Sequence, residues 1–315
     1  MRINGTVHLK SRRLAVVLVF GIVLISGAGA YLYFWHSLPI GFGPAGPAIS
    51  RDAFSHPWTD RQTLLVGLGD SVTAGFGARK HYSYFDRLIA NPTDEFSGMR
   101  GNCLIEVLPK LQFTNLAISG STSSEHIEKQ LPRLPSVGSN ILGMVVMTTG
   151  GNDLIHNYGR TPPRDQAMYG ATLQQAAPWI ENFERRLESM ISRIKERFPG
   201  GCHIFLANIY DPTDGVGDVE RAGLPPWSDG SKILDAYNDI IRRCTERHPD
   251  VHLVDLHSAF LGHGVHCTQF WSKHYDANDP HYWYYHNVED PNERGYDAIR
   301  RLFLIQFWQV AKQLN

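Results

Sequence analysis

The stretch "GLGDSVTAGFG" carries one serine, Ser71, among small residues, after an apolar run and before a plausible helix. A serine there can cap the helix by accepting from its first free N–H groups. It can also attack a carbonyl once a base takes its proton. The second use needs a base, an acid to orient that base, and donors for the oxyanion. Histidines crowd one segment, "HGVHCTQFWSKHYDANDPHYWYYHNVED", which holds His263, His266, His274, His281 and His286. Asp276 and Asp279 lie just upstream of His281 and could orient it. Gly120 in "NLAISGST" has no Cβ to keep a substrate from the backbone. Asn152 in "TGGNDL" offers a neutral side-chain donor.

Something must hold these residues together. Residues 64–68, 141–147, 202–209 and 251–256 read as short apolar strands, with a weaker one over 112–117. Between them lie helical patterns. Ile180, Phe183, Leu187, Met190, Ile191, Ile194 and Phe198 fall on one face, and Ile299, Leu302, Phe303, Phe307, Val310 and Leu314 on another. Alternating strands and helices predict an α/β domain, a three-layer sandwich around a parallel sheet. Ligands bind such sheets at the carboxyl ends of the strands. Ser71, Gly120, Asn152 and the loop opening at Asp211 all follow predicted strands.

With that placement, "GDSVTAG", "NLAISGST" and "TGGNDL" resemble, in order and spacing, the first three blocks of the SGNH, or GDSL-like, hydrolases. The resemblance implies a flavodoxin-like SGNH fold over most of the chain and a serine esterase or lipase that needs no cofactor. It makes Ser71 the nucleophile and assigns the oxyanion hole to the Ser71 N–H, the Gly120 N–H and the Asn152 side chain.

The family's fourth block supplies an Asp and, three residues later, a His. Here the text is "HNVEDPNERGYDAI", with Asn287 and Asp290 at those places. Asp290, Pro291 and Glu293 spell a helix start with Asp290 as N-cap, and an ionised Asp is a weak base for a serine hydroxyl. The expected base is therefore His281, oriented by Asp279, with His286, Asp276 and Asp290 as further candidates. No zinc pattern emerges from His263, His266, Cys267 and His274, and no metal is expected. The acidic stretch "DPTDGVGDVE" reads as a mobile loop over the site. The aromatics at 275 and 282–285 could line the cleft or pack the final helix.

The rest of the chain bounds the setting. Of 315 residues, 30 are Lys or Arg and 31 Asp or Glu. Without a basic stripe, nucleic acid is excluded as a partner. Residues 14–35 are 22 uncharged residues with Arg2, Lys10, Arg12 and Arg13 before them and no Lys or Arg after until Arg51. That asymmetry predicts a cytoplasmic segment 1–13, a signal anchor 14–35, a Gly/Pro-rich linker 36–60 and an extracytoplasmic hydrolase domain 61–315. The rival is secretion after cleavage at Ala28-Gly29-Ala30. Four cysteines permit two disulfides or four buried thiols. The expected function is hydrolysis of short-chain, glycan or lipid esters. Its alternatives are an acyltransferase using the same site and a non-catalytic domain binding an acylated glycan or lipid.

Overall fold

The computed structural model describes residues 4–312; Arg2, counted above for topology, and Leu314, placed above on a helix face, lie outside them. Five strands form one sheet: β1 (Gln62–Leu68), β2 (Leu111–Asn115), β3 (Ile141–Met147), β4 (Cys202–Ala207) and β5 (Val251–Val254). Their order is β2-β1-β3-β4-β5 and every neighbouring pair is parallel. This is the expected flavodoxin-like order, whose direction of winding reverses at β1 and β3. Strands covered on both faces read as unbroken apolar runs, and β1 and β3 do so. The edge strand β2 is half exposed, which is why "LQFTN" signals a strand weakly.

Successive side chains alternate between the two faces. Leu65, Met144 and Phe205 join one apolar cluster, and Val66, Val145 and Ile204 the other. The helices used below are α1 (Asn4–His36), α2 (Ser71–Ala74), α3 (Tyr84–Ile89), α4 (Gly151–Ile155), α5 (Leu173–Lys195), α6 (Gly230–Arg247) and α7 (Glu293–Ala311). α3 and α7 cover the first face, α5 and α6 the second. The sequence reading did not include α6, although Ile233, Tyr237, Ile240, Ile241 and Cys244 have helical spacing and are all buried.

Three expectations are corrected. Asp290 does not cap α7: Asn292 does, its side-chain oxygen accepting from the Arg294 and Gly295 N–H groups. Pro291 instead bridges to Tyr284 in extended conformation, so the helix starts two residues later. Second, the Gly/Pro-rich stretch is no free spacer. Ala45, Ala53, Phe54 and Trp58 are buried in the core, and Arg294 donates to the Phe42 and Gly43 carbonyls. Third, the acidic loop is tied down: Asp214 accepts from the N–H groups of Gly262, Gly264 and His266. The four cysteines are buried and free.

Candidate active site

β1 and β3 pair residue for residue to their ends, Leu68 opposite Met147, so the loops that follow leave the sheet side by side. Gly69 makes that possible. At φ +135°, a Cβ here would stand 2.4 Å from the Thr148 carbonyl. Asp70 is then the N-cap of α2, its Oδ1 accepting from the Val72 N–H at 3.1 Å. The capping question is thereby answered: Asp70 caps, and the Ser71 hydroxyl is left for other use. Thr148 donates to Asp70 at 2.8 Å and Thr73 joins Thr148 to Tyr84, which fixes the turn. Burial pushes the Asp70 carboxyl up to about 6.

The loop after β2 is pinned to this turn. The Ile118 N–H and the Ser121 hydroxyl both donate to the Gly69 carbonyl, and Gln130 spans the Gly69 N–H and C=O. Gly120 adopts φ +77° with nothing within 4 Å of where a Cβ would point. From the next loop, the Asn152 amide donates one hydrogen to the Ser121 carbonyl at 3.2 Å. An amide has two such hydrogens, so the second remains available. Behind it Asp153 accepts from the Ser123 N–H and hydroxyl, and burial raises its carboxyl to about 6.

Ser71 and Asn152 line one cleft with about 1090 Å³ of empty space, part of it open to solvent. Its floor and far wall are apolar: Leu154, Tyr169, Ile209, Trp227, Leu234 and Val288. Of the two uses open to the aromatics at 282–285, packing the final helix is the one observed, and none of them lines the cleft. Tyr282, Trp283 and Tyr284 are buried beneath α7.

The residue the structure brings to Ser71 is Asp290. Its Oδ2 accepts from the Asn287 side-chain amide at 2.7 Å. Its Oδ1 is buried without a partner of full hydrogen-bond geometry, and the Ser71 hydroxyl is the near group that stabilises its charge. Burial outweighs that help and holds the Asp290 carboxyl above the usual aspartate range. Glu289, which also lines the cleft, is pushed up to about 7 by burial and by the Asp290 charge. The segment carries strain: Val288 sits at φ +67°, a region β-branched residues avoid.

The histidines lie elsewhere, and none lines the cleft. His281 does pair with Asp279, at 2.5 Å, but Arg294 pairs with the same carboxylate, and the imidazole lies against Gly41 in the linker. His286 is exposed and packs on the Tyr285 ring at 3.9 Å. Asp276 accepts from the Asn278 N–H within its own turn. His263 stacks on Trp283, and His266 bonds Gln269 and Asp218. Among the described residues, one group brings three ligand-type side chains within 4.8 Å: Glu188, Cys244 and His248. It lies at the far end of α6 from the cleft, and Arg247 already pairs with Glu188.

A parallel sheet of this order is a doubly wound α/β fold, and Ser71 and Asn152 stand at the point where its winding reverses, where such folds bind ligands. Residues 68–298 match the GDSL-like lipase/acylhydrolase family, and the chain belongs to it. No curated protein matches. Among solved structures, an extracellular lipase from Streptomyces rimosus is similar at 18% identity and TM-score 0.51, covering 77% of this chain and 98% of that one. A variant of an acetyl xylan esterase from Geobacillus stearothermophilus has 17% identity and TM-score 0.48, covering 79% and 96%.

Proposed function

We infer that the protein hydrolyses carboxylic esters through a Ser71 acyl-enzyme, with Asp290 as the base. What carries this reading is the Ser71 hydroxyl, freed from capping by Asp70, sharing one cleft with Asn152 and stabilising the charge of the buried Asp290 carboxylate. Asp290 takes the Ser71 proton as Oγ attacks the ester carbonyl. The oxyanion falls to the Ser71 N–H, the Gly120 N–H and the free hydrogen of Asn152. Collapse breaks the C–O bond, and the alcohol leaves with the proton from Asp290. Water then attacks the acyl-enzyme, again giving its proton to Asp290, which returns it to Ser71 Oγ as the carboxylic acid departs.

A carboxylate is a weaker base than imidazole, and its raised pKa recovers part of the difference. Asn287 takes the orienting role, donating to Asp290 Oδ2. The apolar wall of the cleft favours the acyl side of the ester there. Helix Leu14–His36, with mean hydropathy 2.3, anchors the chain, and the basic residues before it keep the catalytic domain outside.

Aryl esters of increasing acyl length, assayed with the full chain in detergent, test the reading. Leu234→Trp, which fills the apolar wall, is expected to depress turnover of the longer esters and spare the acetyl ester. Equal loss on all lengths would remove the acyl chain from this cleft. The absence of histidine from the cleft favours one second reading, a domain that binds an acylated ligand without turnover. Saturable ester binding in folded protein with no product would establish it.

A further inference from the structure

The C-terminal turn of α1 is joined to the domain. Its last carbonyls have no partners within the helix, and side chains of the domain supply them. Arg221 and Gln269 donate to the Phe34 carbonyl at 2.9 and 3.0 Å, and Thr268 to that of Tyr33. Around these bonds the rings interlock. Phe34 meets Phe270 edge-on at 5.5 Å, and Trp271 packs on both Phe34 and Trp35 at 5.0 and 5.1 Å. Phe270 and Trp271 nevertheless keep 63% and 47% of their surface exposed. Two large rings left open beside the end of an apolar helix fit neither a core nor an ordinary water-facing loop.

The same contacts reach the cleft. Arg221 also donates to the Val265 carbonyl, while the Val265 N–H donates to the carbonyl of Pro212, a cleft residue. Val219 and Leu224, which flank Arg221 in sequence, line the cleft as well. The helix end, the exposed rings and one rim of the cleft thus form one connected piece.

We propose that Phe270 and Trp271 insert into the bilayer interface beside the end of α1, holding the cleft rim against the membrane so that Ser71 receives acyl esters directly from the lipid. The occupant follows from continuity. If α1 spans the bilayer, its last turn lies at headgroup depth, and the rings packed on that turn lie at the same depth. Tyr31, Tyr33 and Trp35 on the helix, with Trp271 on the domain, have the composition of an interfacial aromatic belt. The choice of lipid as ester source rests on the hydrolase reading, whereas the contact itself does not.

The test uses the full chain in phosphatidylcholine vesicles, with an environment-sensitive fluorophore on Phe270→Cys or, as a second site, Trp271→Cys. Ser192→Cys on α5 is the control, since Ser192 is exposed near the amino ends of the strands, opposite the cleft. The four native cysteines are buried, and the parent protein measures any labelling of them. Lipids bearing a nitroxide at the headgroup are expected to cause about a twofold loss of emission at 270 and 271 and none at 192. The same quenching in a Ser71→Ala background would show the contact to be independent of catalysis, so failure of the hydrolase reading alone would leave it standing. Equal, unquenched emission at 270 and 192 would overturn the proposal. Blue-shifted but unquenched emission that rises with protein concentration would place a second copy of the chain there and overturn it too.

Discussion

Asn287 donates its side-chain amide to Asp290 Oδ2 at 2.7 Å, and Asp290 Oδ1 is buried without a hydrogen-bond partner, in a carboxylate whose charge the Ser71 hydroxyl helps to stabilise. The pair stands where the family resemblance leads one to expect an Asp and a His. On the proposed reading, Ser71 has a buried carboxylate as its base where the resemblance implies an imidazole.

The pH profile of ester turnover should report that carboxylate. Ser71, Asn287, Glu289, Asp70, Tyr210 and Tyr296 are the polar groups that face or electrostatically sense it. The active form is ionised, so the rate falls as pH drops through the Asp290 pKa, which burial holds above the ordinary aspartate value. His281→Ala is expected to leave that acid limb in place, because His281 stands on Gly41 away from the cleft. The double change Asn287→Asp with Asp290→His should move the limb toward the imidazole range, about pH 6.5. A wild-type limb that His281→Ala abolishes would contradict this assignment.

Asn152→Ala removes one oxyanion donor while leaving the cleft's shape nearly intact. Its expected cost is about a 10²–10³-fold fall in kcat. KM should change little, because the donor acts on charge that develops in the transition state. Steady-state kinetics on an acetyl aryl ester separate the two. A change confined to KM would make Asn152 a ground-state contact.

Buried Asp70 carries a stability signature. Its folded-state pKa, about 6, exceeds the ordinary value near 3.8, so between those values the native state binds more protons than the unfolded state. Its contribution is therefore fully present below the lower value and is lost as pH rises through the upper one. The change is at most about 3 kcal/mol. Asp70→Asn should flatten this part of the Tm-against-pH curve. An unchanged slope would show that Asp70 does not titrate in that window.

Beneath α7 lies a buried ionic cluster. Arg87 and Arg300 each pair with Glu95 and with Asp297, all four side chains nearly solvent-free. Glu95→Gln leaves two guanidinium groups under-compensated, and breaking such a cluster costs about 3–5 kcal/mol. Denaturant unfolding of the variant measures it, and a loss below about 1 kcal/mol would mean the cluster relaxes or admits water.

Much of this architecture is legible in the sequence, for definite reasons. β3 is a central strand covered on both faces, so residues 141–147 read as one apolar run with the observed ends. Ser71 and Asn152 stand at the start of short helices just past β1 and β3, and Gly120 lies in the loop after β2, close to the strand ends where short local patterns survive. The acid–base partners were harder. "DANDPHYW" holds an Asp and a His at hydrogen-bonding separation, and the two do bond, but sequence spacing could not say that Arg294 and the linker surround them. Asp290, Pro291 and Glu293 fit a helix start, yet contacts with Asn287 and Tyr284, three and seven residues upstream, took Asp290 and Pro291 for other uses. The covered linker is a similar case, since its docking depends on α7, some 250 residues later in the chain.

The central claim, that Ser71 is a nucleophile activated by Asp290, is tested most directly by active-site labelling. The full chain in detergent would be treated with a fluorophosphonate probe beside Ser71→Ala, Asp290→Asn and His281→Ala, with circular dichroism to confirm that each variant is folded. The account predicts covalent labelling of the parent and of His281→Ala, none of Ser71→Ala, and a severe loss in Asp290→Asn. Labelling that survives in Asp290→Asn but vanishes in His281→Ala would contradict it.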